Sequence, residues 1–154
     1  MDIALITLQG RTEISNMKFA DVRKDHLYVI RQKTKNYTEH AYLEIGIGEE
    51  LAKVIKRARG SVISKYIIHR RRQQVKPEYF SRAFKKARDT ALPDLKNPPT
   101  FHEIRSLGGR LYIEQGYPKD YVQALMGHST VKMTDVYLAD DEVQYMPCSA
   151  DLKL

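Results

Sequence analysis

A histidine and an arginine three residues apart, His102 and Arg105, precede a second histidine, His128, and a tyrosine nine residues beyond it, Tyr137. These side chains are the parts needed to break a phosphodiester without a metal. A tyrosine nucleophile stays bonded to the phosphorus it attacks. A guanidinium is a fork matched to two phosphate oxygens. Imidazoles donate hydrogen bonds and move protons near neutral pH. A free phenol titrates near pH ~10 and is a poor nucleophile at neutral pH, so Tyr137 depends on neighbouring cations to stabilise the developing charge. Singly, each residue has an ordinary explanation. HxxR is a surface or capping pair, a histidine after Gly127 caps a helix, and Tyr137 is one of ten tyrosines. The chemistry exists only if the residues converge on one phosphate.

Apolar spacing and turn residues indicate the elements that must bring them together. DIALITLQGRTEISNM at 2–17 reads as helical, with Leu5, Ile14 and Met17 on a buried side. HLYVIRQKTKNYTEHAYLEI at 26–45 reads as a β-hairpin with KTKN between its arms. Lys33 lies in that turn, as a solvated lysine or as a proton donor towards a leaving oxygen. Gly46 and Gly48 end the hairpin, and EELAKVIKRAR at 49–59 is an amphipathic helix. KYIIH at 65–69 suggests a third strand, with Arg70, Arg71 and Arg72 in a loop after it. Pro77 starts a further helix, and the prolines of LPDLKNPPT mark a connection. Thr100 and Glu103 form a capping box for the helix carrying His102 and Arg105, which puts those two on one face. A helix from Pro118 to Met126 stops at Gly127, and a last one from about Thr130 carries Tyr137. His128 then stands at a helix mouth, where backbone N–H groups attract anions. The tail 142–154 shows no strong pattern. The fold class expected is α+β, mostly helical, with a small antiparallel sheet near the N-terminus.

The 154-residue, 17.9-kDa chain has the size of one domain. Its hydrophobic content of 42% and charged content of 29% favour a folded domain over a disordered one. No apolar run is long enough to span a bilayer, and no membrane partner is expected. The one cysteine, Cys148, cannot form an internal disulfide. The net charge of +7 is unevenly spread. Between Lys53 and Arg88 thirteen Lys/Arg face one acid, Glu78, so that segment carries +12 and the remainder −5. Such asymmetry marks a polyanion binder, with Arg70, Arg71, Arg72, Lys76, Arg82, Lys85 and Lys86 as the candidate contacts. No ligand set for a metal and no cofactor motif stands out.

The stretch TFHEIRSLGGRLYIEQGYPKDYVQALMGHSTVKMTDVYLADD resembles the signature of the tyrosine recombinases, specifically the lambda-type phage integrases. HEIR matches the family's HxxR, LMGHS its LGH, and Tyr137 stands at the usual distance. MKFADV and KTKN match the segments around the family's catalytic lysine, which would be Lys33. The resemblance covers about 5–140. It implies site-specific recombination of double-stranded DNA, in phage or prophage integration and excision, by a DNA strand transferase that needs neither metal nor cofactor. Tyr137 would form a 3′-phosphotyrosyl link, Arg105 and His102 would hold the non-bridging oxygens, His128 would support them, and Lys33 would protonate the leaving 5′-oxygen. The family's first arginine falls at Gly10, with Arg11 one position late. One step on a helix turns a side chain by about 100°. A catalytically impaired DNA-binding remnant is therefore one alternative, and a type IB topoisomerase-like nicking-closing enzyme another. The resemblance further implies one catalytic domain over 1–154, slightly short at its N-terminus and without core-binding and arm-binding domains. It implies a homotetramer on attachment-site DNA when complete, a monomer alone, and a cytoplasmic, nucleoid-associated location in a bacterial host.

Overall fold

The structure is a computed structural model that describes residues 1–36, 41–60, 63–127 and 146–153. His128, Tyr137 and the helix expected from about Thr130 lie outside the described residues.

The expected N-terminal helix is two short ones, α1 (Asp2–Thr7) and α2 (Arg11–Asn16). The break is at Leu8, which adopts a left-handed conformation (φ 54°, ψ 23°) and caps α1. That conformation costs a non-glycine residue about 1–2 kcal/mol. Leu8 is fully buried, and burying a leucine side chain returns roughly 1.5–3 kcal/mol, so the break is tolerated. Periodicity does not reveal it, because no proline interrupts the run and the one glycine, Gly10, lies beyond it. Ile3, Ala4, Ile6 and Thr7 of α1 are all buried, which makes this short helix the centre of the core.

β1 (Val22–Arg23), β2 (His26–Ile30) and β3 (Tyr42–Ile47) form the expected antiparallel sheet. Its register pairs Leu27 with Ile45 and Val29 with Leu43 on the core side. The alternate pair Tyr28 and Glu44 faces outwards, joined by a 2.7 Å hydrogen bond. α3 (Glu49–Arg59) follows with Leu51 and Val54 buried. The run at 65–69 does not extend the sheet. It makes one bridge between Tyr66 and Lys18, and His69–Arg70 (β4) pairs back on Gln73–Gln74 (β5). Arg71 and Arg72 turn this hairpin at φ 51° and 67°. Such a turn ordinarily uses Asn-Gly, so Arg-Arg hid it.

α4 (Pro77–Ala91), α5 (Glu103–Glu114) and α6 (Lys119–Met126) match the expected helices. The expected capping box is only half formed: Thr100 N donates to Glu103 Oε2 at 2.7 Å, but Glu103 N donates to the Thr100 carbonyl at 3.2 Å and not to its hydroxyl, and the regular helix begins at Glu103 with His102 at its cap. α5 packs on α1 through Gly108, where an added Cβ would lie 2.6 Å from the Leu5 carbonyl oxygen. The patternless tail contributes β6 (Met146–Ala150), parallel to β3, so the sheet is mixed. Three tyrosines hold that segment. Tyr121 Oη donates to Ser149 O at 2.6 Å and Tyr117 Oη to Asp151 O at 3.0 Å. Tyr112 Oη donates to Ile6 O at 2.6 Å and accepts from Leu152 N at 3.2 Å.

Two outcomes test this packing. Gly108→Ala should lose ~1–3 kcal/mol in urea denaturation, the usual range for overpacking, because the obstructing atom is backbone. Burial, with help from Glu44, raises the Cys148 thiol from its ordinary 9.0 to about 12. Folded protein should therefore react slowly with iodoacetamide at pH 8, since the thiolate is the nucleophile. Tyr121→Phe, which loosens β6, should speed the labelling. Equal rates in the two proteins would show that Tyr121 does not hold the strand.

Candidate nucleic-acid interface and phosphate site

The last carbonyls of a helix have no partner within it, and they form its negative end. In α6 three consecutive ones are each taken by a long side chain from a different element. Gln9, between α1 and α2, donates Nε2 to Leu125 O at 2.8 Å. Arg105 of α5 donates Nη2 to Met126 O at 2.6 Å. Arg31, just after β2, donates Nη1 to Gly127 O. Gly127 itself is left-handed (φ 60°, ψ 34°) and ends the helix immediately before His128. The arginine of HEIR and the residue preceding the second histidine are thus joined through α6.

Arg105 and Arg31 are both half-buried. Burial is the main influence on each. It lowers the Arg105 guanidinium to about 10, with Arg31 pushing in the same direction and Glu13 opposing. It also lowers Arg31, again against Glu13. A cation depressed in this way loses favourable interaction with water, and an anion placed between the two restores it. His102 is exposed one turn before Arg105, at the N-terminal cap of α5. Lys33 is exposed in the turn after β2, two residues past Arg31.

Arg11 is not brought to this place. It is exposed at the start of α2, and its Nη1 donates to Ser81 Oγ of α4 at 2.7 Å. At Gly10 a Cβ would lie 2.9 Å from Oε2 of Glu13, the acid that acts on both guanidiniums. Arg31 is the residue that sequence reasoning passed over. The available signal was its place two residues before Lys33 at the end of a hairpin arm.

The basic segment forms a second feature. Arg70, Tyr79, Arg82 and Lys86 line an open groove along α4, and Arg70 stacks 5.4 Å from the Tyr79 ring centroid. Arg71 and Lys76 line the adjoining depression, which shares Arg70 and Arg82. Arg72 is exposed beside Arg71 in the β4–β5 turn. Lys85 is turned to Asp89 at 2.6 Å, so part of its charge is satisfied within the helix. Among the described residues no cluster of three or more His, Cys, Asp or Glu could hold a metal ion, and no helix is long and apolar enough to cross a membrane.

Known proteins share this fold. The model of the phage integrase family matches residues 1–143. The chain is 40% identical over 152 residues to prophage integrase IntE of Escherichia coli (strain K12), covering 91% of this chain and 40% of that protein. It therefore spans about two fifths of the length of that curated relative. Among solved structures, the lambda integrase catalytic core superposes with a TM-score of 0.71 at 29% identity, covering 82% of this chain and 79% of that one. A lambda integrase tetramer bound to a Holliday junction gives 0.73 at 27% identity, over 93% and 42%.

If the groove follows a phosphate backbone, Arg82→Ala should weaken binding to short duplexes equally whatever their sequence. It should also reduce the slope of log affinity against log salt by about 1. Lys85→Ala should change both less. A sequence-dependent loss in Arg82→Ala would instead place that arginine on base edges.

Proposed function

The chain belongs to the phage integrase family, and on that premise we propose that it is the catalytic domain of a site-specific tyrosine recombinase acting on double-stranded DNA. The observation that carries this reading is the junction at the end of α6. Arg105, from HEIR, grips the carbonyl of Met126, from LMGHS, so the two motifs meet at one helix terminus.

In this reading Tyr137 Oη attacks the scissile phosphorus. The bond to the 5′-oxygen breaks, a 3′-phosphotyrosyl link forms, and Lys33 Nζ delivers a proton to the departing 5′-oxygen. Arg105, His102 and His128 hold the non-bridging oxygens as their charge grows. Oriented donors in a site with little water stabilise such charge far better than water does. The phosphotyrosyl link conserves the bond energy, so attack by another 5′-hydroxyl reseals a strand. The basic groove of Arg70, Arg71, Arg72, Lys76, Arg82, Lys85 and Lys86 supplies sequence-independent grip on phosphates. The full-length protein would assemble as a tetramer on two attachment sites, consistent with the lambda integrase tetramer on a Holliday junction. Its setting would be the cytoplasm of a bacterial host, at the nucleoid.

The position of Arg11 on Ser81 favours one rival, a DNA-binding remnant that no longer cuts. A nicked suicide duplex carrying the attachment site separates them. The recombinase reading expects a covalent protein–DNA adduct on a denaturing gel that disappears in Tyr137→Phe. Salt-sensitive binding without any adduct would establish the remnant.

A further inference from the structure

We infer that Arg31 is a second guanidinium of the phosphate site, so that one phosphodiester is gripped between Arg31 and Arg105. The identity of the ligand rests on the recombinase reading; the pairing of the two guanidiniums rests on geometry.

Three observations support it. First, Arg31 is held in place before any ligand arrives. Its backbone N–H donates to Ala41 O at 2.8 Å, closing the hairpin end. Its carbonyl accepts from Thr34 N at 3.2 Å and Lys35 N at 3.1 Å, fixing the turn that carries Lys33. Its side chain is anchored on Gly127 O. Second, Arg31 and Arg105 hold adjacent carbonyls at one helix end, with Glu13 the acid acting on both. Among the described residues no carboxylate lies within ion-pair distance of Arg31, and Glu13 Oε1 accepts from Gln32 N at 3.4 Å. Two half-buried guanidiniums at one helix end lose hydration on burial, and an anion between them offsets that loss. One nitrogen of Arg31 is engaged with a carbonyl, and a guanidinium carries five N–H donors. Third, the position that the family resemblance assigns to a second arginine is Gly10, where a Cβ would lie 2.9 Å from Oε2 of Glu13, the acid that acts on both guanidiniums. Arg31 reaches the cluster from β2, whereas Arg11 does not.

The test uses the whole chain and inorganic phosphate, followed through the arginine Nε–Hε NMR signals. The Arg31 and Arg105 signals should move together with one apparent Kd. Arg31→Gln should weaken the Arg105 titration by ~10-fold or more, the scale of one charged hydrogen-bond pair. Arg31→Lys should recover only part, because an ammonium lacks the fork. Adding Gly10→Arg to Arg31→Gln should restore affinity; the backbone at Gly10 is extended (φ −78°), and only the tip of the Glu13 side chain must move. In the suicide-duplex assay Arg31→Gln should slow adduct formation by ~10²–10³, the usual loss for one preorganised charge-stabilising donor. An Arg31 signal that stays still while that of Arg105 moves overturns the inference. So does an unchanged Arg105 titration in Arg31→Gln, or no movement of either signal. The unsubstituted chain decides the point even if Arg31→Gln fails to fold. Adduct formation at full rate in Arg31→Gln removes the inference and leaves the recombinase reading. Joint titration without any adduct keeps the anion site and removes that reading.

Discussion

The structure depends on what happens to three carbonyl oxygens at the end of α6. The carbonyls of Leu125, Met126 and Gly127 have no N–H donor within their own helix, and they lie at its negative pole. Gln9, Arg105 and Arg31 take them in order. Those side chains come from the α1–α2 connection, from α5 and from the end of β2. One helix terminus therefore ties together the core helix, the HEIR helix and the hairpin. It also sets where the chain leaves the described domain towards His128. A helix end satisfied by amides alone would serve stability equally well. Two of the three donors are guanidiniums, which bring positive charge to this terminus as well as hydrogen bonds.

The rest of the fold brings those donors into range. The left-handed Leu8 ends α1 early, which sends Gln9 inwards and starts α2 at Arg11. Gly108 lets α5 approach α1 more closely than any side chain would allow. The pairing of β2 with β3 places Arg31 at the hairpin end nearest α6. The tail strand completes the sheet, and the Tyr112, Tyr117 and Tyr121 hydroxyls secure it. Tyr112 also holds Ile6, so the tail is fastened to the same core helix.

Charge is divided between two regions with different physics. The Arg70–Arg82 groove is open to solvent, where cations stay hydrated and salt screens their charge. At the α6 terminus Arg31 and Arg105 are half-buried, and burial outweighs the neighbouring acid in depressing both. An anion there gains from a lower local dielectric as well as from charge.

Much of this was legible in the residues. The helices at 49–59, 77–91 and 119–126 and the hairpin arms followed from local signals, because apolar spacing and proline act within one element. Membership of the phage integrase family was legible in HEIR, LMGHS and Tyr137 for a related reason: motif order survives without knowledge of packing. What local signals could not supply were features stabilised by distant partners. Leu8 breaks a helix because the core rewards its burial, and Arg-Arg turns a hairpin that Asn-Gly ordinarily turns. The tail MPCSA pairs because β3 offers an edge and three tyrosines offer hydroxyls. Arg11 looked one step from its place, yet packing commits it to Ser81, while Arg31, unremarkable in the text of the chain, is carried by the hairpin to the end of α6. Residue type and order follow from the chain, but which guanidinium shares a site with Arg105 depends on contacts between residues far apart in it, and those exist only once the elements are packed.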